Sequence, residues 1–507
     1  METGPATPAP RSYWLTRFCI LRLLGLVYLV AFLVFVLQAP GLIGSRGLLP
    51  AGDFLARVAA HAGGAAAAWG RLPTVFWLGA SDAALLAVGW AGVTLAALVV
   101  AGLANVPIMA ALWALYLSIV HVGQEWYGYG WEIQLLETGF LAIFLCPLLD
   151  PRPFPRHPPP VAVIWLLRWL IVRIMLGAGL IKLRGDPCWR DLTCLVYHYE
   201  TQPLPGPLAR ALHSMPLWLH RLGALWTHVT ELVLPWLVIG PRAVRQVAGV
   251  LLVAFQGFLI LSGNLSFLNW LTIVPCLACL DDGLWARVLP RALAARAAAV
   301  ARAARAPSLP ARLVPLALAA LVAVLSVAPV ANLLSPRQAM NTSFDRLHLV
   351  NTYGAFGSVG RERLEIVYEG TRDEIVTDDT RWQAYEFRCK PGDPGRRPCQ
   401  VSPYHYRLDW QIWFAAMSTP DRHPWTMHLV WKLLQGEPAV LRLLASNPFP
   451  DAPPRYVRAV LYRYAFAPPD DPTGAWWRRE PVTVWFPAFE PDDIRFQAIL
   501  RRQGWVE

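Results

Sequence analysis

Apolar runs long enough to cross a bilayer constrain this chain more than any other feature. LRLLGLVYLVAFLVFVL at residues 21–37 and LALAALVAVLSVAPVANLL at 316–334 are two of several. A membrane-crossing helix needs about 20 mainly apolar residues, because the hydrocarbon core is about 30 Å thick and every backbone amide must be satisfied within the segment. On this criterion nine spans are expected, at 18–38, 83–103, 106–121, 131–149, 161–183, 222–239, 243–262, 265–280 and 313–334, the third and eighth being short. Hydrophobic residues make up 55% of the chain and charged residues 16%, a balance that fits a polytopic helical bundle. The run within 11–38 exceeds a signal-peptide core and ends in LQAPGLIG, so it reads as a retained signal-anchor.

The formal net charge is +11, yet from residue 337 onward 22 Lys and Arg face 21 Asp and Glu. Nearly all the excess therefore belongs to residues 1–336 and lies between apolar runs, which argues for membrane orientation and against nucleic acid as a partner. With a cytosolic N-terminus, Arg152, Arg156, Arg242, Arg245, Arg287, Arg291, Arg296, Arg302, Arg305 and Arg312 fall in cytosolic connections. The long loops 39–82 and 184–221 on the other side are poorer in basic residues, so the segment from 337 onward is expected to be non-cytosolic. The basic, Ala-rich stretch 285–305 fits either a helix on an anionic leaflet or a plain linker helix.

The cysteines agree with that orientation. Cys188 and Cys194 (CWRDLTC) and Cys389 and Cys399 (CKPGDPGRRPC) lie on the side where disulfides persist, in short polar loops suited to local closure. Zinc would need a His/Cys quartet that neither pair has nearby. Cys276 and Cys279, a CLAC pair, lack the βαβ context of a redox motif and read as apolar span residues, as do Cys19 and Cys146.

Polar groups at membrane depth raise a functional question, because leaving them there costs free energy. His121, Glu125, Glu132 and Glu137 gather near one membrane face; Arg168, Arg173 and Lys182 lie in the fifth span, and His228 and Glu231 in the sixth. Such charges either pair between neighbouring spans and lock the bundle or line a water-filled site. The stretch GAGLIKLRGDPCWRDLTCLVYHYETQP at 177–203 adds Asp186, His198 and Glu200. Its groups suffice for proton transfer, and equally suit a rigid interfacial lid closed by Cys188 and Cys194. Glu125, Glu132, Glu137, Lys182, His198 and Glu200 are the candidates for a polar membrane site. No H-E-x-x-H, G-x-S-x-G or phosphate loop occurs, so no catalytic residue, metal or cofactor is assigned.

Beyond residue 336 the pattern changes. In VNTYGAFGSVGRERLEIVYEGT (350–371) the glycines Gly354, Gly357 and Gly360 suit a turn, and RERLEIVYEG then alternates as a half-buried strand, with Leu364, Ile366 and Tyr368 on one face and Arg363, Glu365 and Glu369 on the other. Further strands are expected at 384–389, 404–414, 455–467 and 480–487, and helices at 424–435, 438–446 and 491–502. Residues 337–507 thus read as an α+β domain large enough for its own core, following a helical bundle over 1–336. Its tryptophans, Trp410, Trp413, Trp425, Trp431, Trp476, Trp477 and Trp485, fit core packing or an exposed platform for a partner. Of two N-x-S patterns, Asn264 lies in a turn too near the bilayer for glycosylation, whereas Asn341 is better placed.

Ordered blocks along nearly all of residues 12–505 carry a resemblance. WLIVRIMLGAGLIKLRGDPCWRDLTCLVYHYETQPLP, LSGNLSFLNWLTIVP, NTYGAFGSVGRERLEI and YEFRCKPGDPGRRPCQVSPYHYRLDWQIWFAA are among them. In these the chain resembles the lipase maturation factor family; the membrane half is more distantly similar to the bundle of vitamin K-dependent carboxylases. The resemblance implies a multi-pass protein of the endoplasmic reticulum membrane that assists folding and assembly of dimeric secreted lipases, with lipases as clients and membrane lipid around it. It marks Asn351, Tyr353, Gly354, Phe356, Gly357, Arg361 and Glu362 as the motif of a C-terminal client-binding domain. The Arg-for-Lys, Ala-rich composition would also suit a GC-rich bacterium, whose cytoplasmic membrane would then be the location. The rival readings are a membrane enzyme using the acid–base residues between 121 and 200, and a transporter, for which no inverted repeat is visible.

Overall fold

A computed structural model describes residues 12–304 and 306–506; residue 11 of the signal-anchor reading and Arg305 of the basic segment lie outside them. The chain opens with α1 (Trp14–Leu42), α2 (Ala51–Ala62), α3 (Ala65–Arg71), α4 (Asp82–Ala101), α5 (Val106–Val122), α6 (Gly130–Ile143) and α7 (Val161–Arg184). Among the described residues, five helices are long and apolar enough to cross a membrane: α1, α4, α7, Arg242–Ser262 and Leu309–Leu334, the last interrupted at Ser326. The other four expected spans are shorter or broken. Helices α5 and α6 have 17 and 14 residues, the 222–239 segment contains a π-helical turn at Val229–Val233, and Leu268–Cys276 tightens into a 3-10 turn beyond Pro275.

Connections between these helices gather at two ends. At one, Asp282 accepts the free amides of Trp14 and Leu15 and so caps α1, Arg17 donates to His157 O at 2.9 Å, and Arg242 pairs with Asp281. The basic segment 285–305, read as a single helix, breaks at Pro290 into Asp282–Val288 and Arg291–Arg302, whose apolar side packs with Trp14, Leu15 and Phe154. At the other end, Gln202 donates to Ser262 O, and Asn264 bonds Leu204 O and Cys399 O. Asn264 is buried in that turn.

The C-terminal region sits on this second end. Strands β1 (Arg363–Thr371), β2 (Gln383–Ala384), β3 (Tyr456–Phe466) and β4 (Trp477–Phe489) form an antiparallel sheet in the order β2-β1-β3-β4. The strand expected at 384–389 shrinks to β2, and the helix expected at 438–446 to Pro438–Leu441. The strand expected at 404–414 is instead the helix Arg407–Ala416. Its buried Leu408, Ile412 and Ala415 recur at helical spacing, so the alternation of YHYRLDWQIWF was a coincidence of two overlapping periods. Strand β1 is not half-buried: Arg363, Glu365 and Glu369 are as enclosed as Ile366 and Tyr368.

One cluster of buried apolar side chains runs from Ile20 in α1 to Leu500 near the chain end, so bundle and sheet share a core. Geometry explains why. With 29 residues α1 is about 44 Å long, well over the hydrocarbon thickness, and its last turns enter the C-terminal region. There a Cβ on Gly41 would strike Ala439 O, and Gln38 bonds the backbone of His405 and Arg407. Trp410, Trp425 and Trp477 are buried and Trp413, Trp431, Trp476 and Trp485 half-buried, which is the packing role rather than an exposed platform.

A buried polar seam as the candidate functional site

Between the bundle and the sheet the apolar packing is interrupted by a line of buried charges. On α6 the Glu137 carboxylate is completely enclosed and surrounded by donors. Arg173 of α7 reaches Oε2 from Nη1 at 3.3 Å and Oε1 from Nη2; Asn351 donates to Oε2 from its backbone N (3.0 Å) and Nδ2 (3.1 Å), and the Tyr353 hydroxyl from 2.7 Å. Arg173 Nη1 also donates to Asn351 O at 2.8 Å. One ion pair between two bundle helices thus clamps the start of the 350–361 strap. Each buried charge here has an opposite charge and hydrogen bonds, the condition under which a charge tolerates burial.

The strap then runs along α7 because glycines in α7 let it. A Cβ at Gly177 would collide with Tyr353 O, and one at Gly185, just past the helix, with Gly357 O. Gly357 O accepts the Asp186 amide at 2.8 Å, and Phe356 O accepts Trp189 Nε1 at 2.7 Å. The expected turn glycines Gly354, Gly357 and Gly360 keep ordinary backbone angles; the left-handed residue is Phe356, φ +53°, whose ring lies 4.8 Å from that of His198. Burial, then the neighbouring Lys182, lowers the His198 pKa to about 4, so the imidazole is neutral at physiological pH. The strap closes where Arg361 forks onto Asp186 at 3.1 and 2.9 Å and covers the Tyr197 ring. Burial pushes the Asp186 carboxyl up, but Arg361 and the amides of Cys188 and Val359 outweigh it and hold it below the usual carboxylate range.

Further ion pairs extend the seam. Arg407 lies over the Tyr127 ring, 3.4 Å from its centroid, and donates to Glu132 Oε1 at 2.8 Å, while Tyr116 donates to the other Glu132 oxygen. Arg363, at the start of β1, donates to the carbonyls of Glu200 (2.8 Å) and Pro203 (2.9 Å) and to Glu365, which Lys390 approaches to 3.0 Å. Within the bundle, Lys182 Nζ sits 2.6 and 2.8 Å from the two oxygens of Glu231, on the π-helical turn.

The six polar membrane-site candidates therefore do not converge on one cavity. Glu132, Glu137 and Lys182 are each consumed by a separate ion pair. Glu200 accepts the Phe466 amide at 2.7 Å, Glu125 is exposed and faces His423 at 3.8 Å, and His198 packs on Phe356. Of the motif residues, Asn351, Tyr353, Gly354, Phe356, Gly357 and Arg361 belong to the strap, whereas Glu362 is exposed and meets Arg463 at 3.2 Å. Sequence reasoning missed Arg407, Gly177 and Gln38. The signal for Arg407 was a lone arginine inside the aromatic run YHYRLDWQIWF.

Both disulfides form, Cys188 to Cys194 and Cys389 to Cys399; Cys276 and Cys279 are buried free thiols, and Cys19 and Cys146 are part-buried. Asp186, Cys188 and Cys194 lie close enough together to suggest a metal site, but the two sulfurs are bonded to each other and Asp186 is held by Arg361. The group is a cross-link that fixes the connection beneath the strap. Taken together, the arrangement can hold two halves of a chain in one geometry, with Glu132, Glu137 and Lys182 each engaged by an oppositely charged partner.

Comparison with known proteins identifies the arrangement's family. Residues 15–287 match the model of the lipase maturation factor transmembrane domain, and residues 349–487 that of the lipase maturation factor C-terminal domain. Lipase maturation factor 1 of Bos taurus is 50% identical over an alignment covering 100% of this chain and 94% of the relative. The Homo sapiens lipase maturation factor 1 is 47% identical, with 99% and 92% covered, and the Homo sapiens lipase maturation factor 2 is 32% identical, with 97% and 85% covered. No solved structure matches the chain. The chain belongs to the lipase maturation factor family.

Proposed function

We propose that this chain is a membrane-bound maturation factor that assists folding and assembly of secreted lipases, with a bundle over residues 1–336 and a client-binding domain over 337–507. The observation that carries the reading is the Glu137–Arg173 clamp on Asn351 and Tyr353, which spends the strongest acid–base candidates on joining the two regions. In this view the 350–361 strap is the anchor of the client-binding domain, and clients meet other surfaces of it. Anchoring at the membrane raises the effective concentration of weak contacts with emerging chains.

The membrane is the endoplasmic reticulum, the N-terminus cytosolic and the C-terminal domain luminal. Exposed Arg156, Arg287, Arg291, Arg296, Arg302 and Arg312 at one end and both disulfides at the other support this orientation. Nine crossings fit the alternation of connections between the two ends.

The test is co-expression with lipoprotein lipase in cells lacking their own maturation factor, recording secreted activity per unit of lipase mass. The full chain restores it and a chain ending at residue 336 does not. Equal activity from both would remove the C-terminal region from the function, and no activity from either would remove lipases as clients.

A further inference from the structure

The connection between α1 and α4, which the sequence presents only as a long loop, folds into α2 and α3 around a groove of about 330 Å³. Phe54, Arg57, Val58, His61 and Ala62 of α2 recur at helical spacing and line one side, and Arg71 at the end of α3 closes the other. Ala51 and Leu55 continue the stripe of Val58 and Ala62 along α2 and are buried in the molecule. The groove therefore has an apolar floor and a basic rim. Asp53 lies one turn before Arg57, yet no ion pair joins Arg57, His61 or Arg71 to any carboxylate among the described residues.

Its position matters as much as its lining. Helix α1 ends at Leu42 and the membrane-length α4 begins at Asp82, so the groove hangs at the rim of the bundle. Beside it Trp69 is 57% and Leu78 95% exposed. An exposed Trp next to an exposed aliphatic at the end of a span is the chemistry of the headgroup zone.

We propose that this groove binds an anionic glycerophospholipid, its headgroup phosphate on Arg57, His61 and Arg71 and an acyl chain along Phe54, Val58 and Ala62. Guanidinium groups match phosphate oxygens as paired donors, which answers the basic rim. The apolar floor answers the acyl chain. A soluble anion would satisfy only the first of these, and a zwitterionic lipid brings its own cation to the site.

The full-length protein in mild detergent is titrated with phosphatidylserine or phosphatidylcholine and bound lipid counted by native mass spectrometry. Wild type retains phosphatidylserine over phosphatidylcholine. R57Q/R71Q lowers phosphatidylserine affinity at least tenfold, and so does A62W, which fills the groove and keeps the cations. R291Q/R296Q, removing equal charge at the other end of the bundle, leaves it unchanged. Unaltered phosphatidylserine retention in R57Q/R71Q overturns the proposal, as does an equal loss in R291Q/R296Q, which would mean general electrostatic attraction. If R57Q/R71Q does not purify as a single species, A62W against A62S decides: equal affinity of those two overturns the site.

Discussion

The Tyr353 hydroxyl donates to Glu137 at 2.7 Å, joining the strap that opens the C-terminal region to a helix 216 positions earlier in the chain. Neither residue stands alone, since Asn351 and Arg173 share the same carboxylate.

Removing the charge of Glu137 leaves Arg173 buried without its counter-ion. Glu137→Gln is expected to destabilise the protein by about 3–5 kcal/mol, the cost of breaking a buried pair from one side. Tyr353→Phe deletes one hydrogen bond to the same carboxylate and is expected to cost about 1.5–3 kcal/mol. Limited proteolysis of the C-terminal region, with detergent-resistant melting, ranks the two; equal resistance of Glu137→Gln and wild type would count against the clamp.

The close approach of strap and helix depends more on Gly177 of α7 than on Gly354 of the strap. A side chain at Gly177 meets backbone at Tyr353, whereas one at Gly354 meets the movable Met340 side chain, 2.7 Å from its Cβ position. Gly177→Leu is therefore expected to be clearly worse than Gly354→Leu, the difference being about 1–3 kcal/mol of overpacking. The melting temperatures of the two variants measure it, and the reverse order would mean that the strap turns on its own glycines.

Of the sequence expectations, the long apolar runs and the strands β1, β3 and β4 are found, whereas five helices among the described residues reach membrane length against nine expected spans, and 404–414 is not a strand. The runs behind α1, α4 and α7 are legible because hydrophobicity alone dictates them, and β3 and β4 because their turns and β-branched residues agree. The helix Arg407–Ala416 was misread since Leu408, Trp410 and Ile412 satisfy period 2 as well as the helix. The pairing of Glu132 with Arg407 was invisible because the partners are 275 positions apart. Lys182 and Glu231, on adjacent spans, were within reach of sequence reasoning as an opposite-charge pair.

Loss of either disulfide is expected to cost about 2–4 kcal/mol. Cys188→Ser/Cys194→Ser loosens the connection that carries Asp186 and Trp189, so the Arg361 and Phe356 end of the strap frays first. Cys276→Ser/Cys279→Ser leaves non-reducing mobility unchanged. Hydrogen exchange over residues 354–361 reads the first effect; protection identical to wild type would contradict it.

Acid is expected to weaken the fold through buried and half-buried imidazoles. The pKa of His198 is lowered to about 4 by burial and then Lys182, that of His348 to about 4 by burial and then His121, and that of His428 to about 4 by burial. The unfolded chain takes up these protons near pH 6.5, so the stability they confer is complete above that value and is lost as pH falls from about 6.5 towards 4. Asp409, pushed up to about 6 by burial, works in the opposite sense, favouring the fold as it protonates between its folded and unfolded values. His198→Phe should therefore flatten the pH dependence of unfolding over that window, and an unchanged slope would show His198 to be protonated in the fold.

The most direct test of a structural role for the acid–base residues is secreted lipoprotein lipase activity per unit of lipase mass with Glu132→Gln, Glu137→Gln and Lys182→Met, each compared with its own folded fraction in the membrane. The account predicts that activity falls only as far as the folded fraction falls, so that activity per folded molecule stays at the wild-type value. A variant that remains fully folded and loses lipase maturation would contradict it, and would make the seam a reacting site.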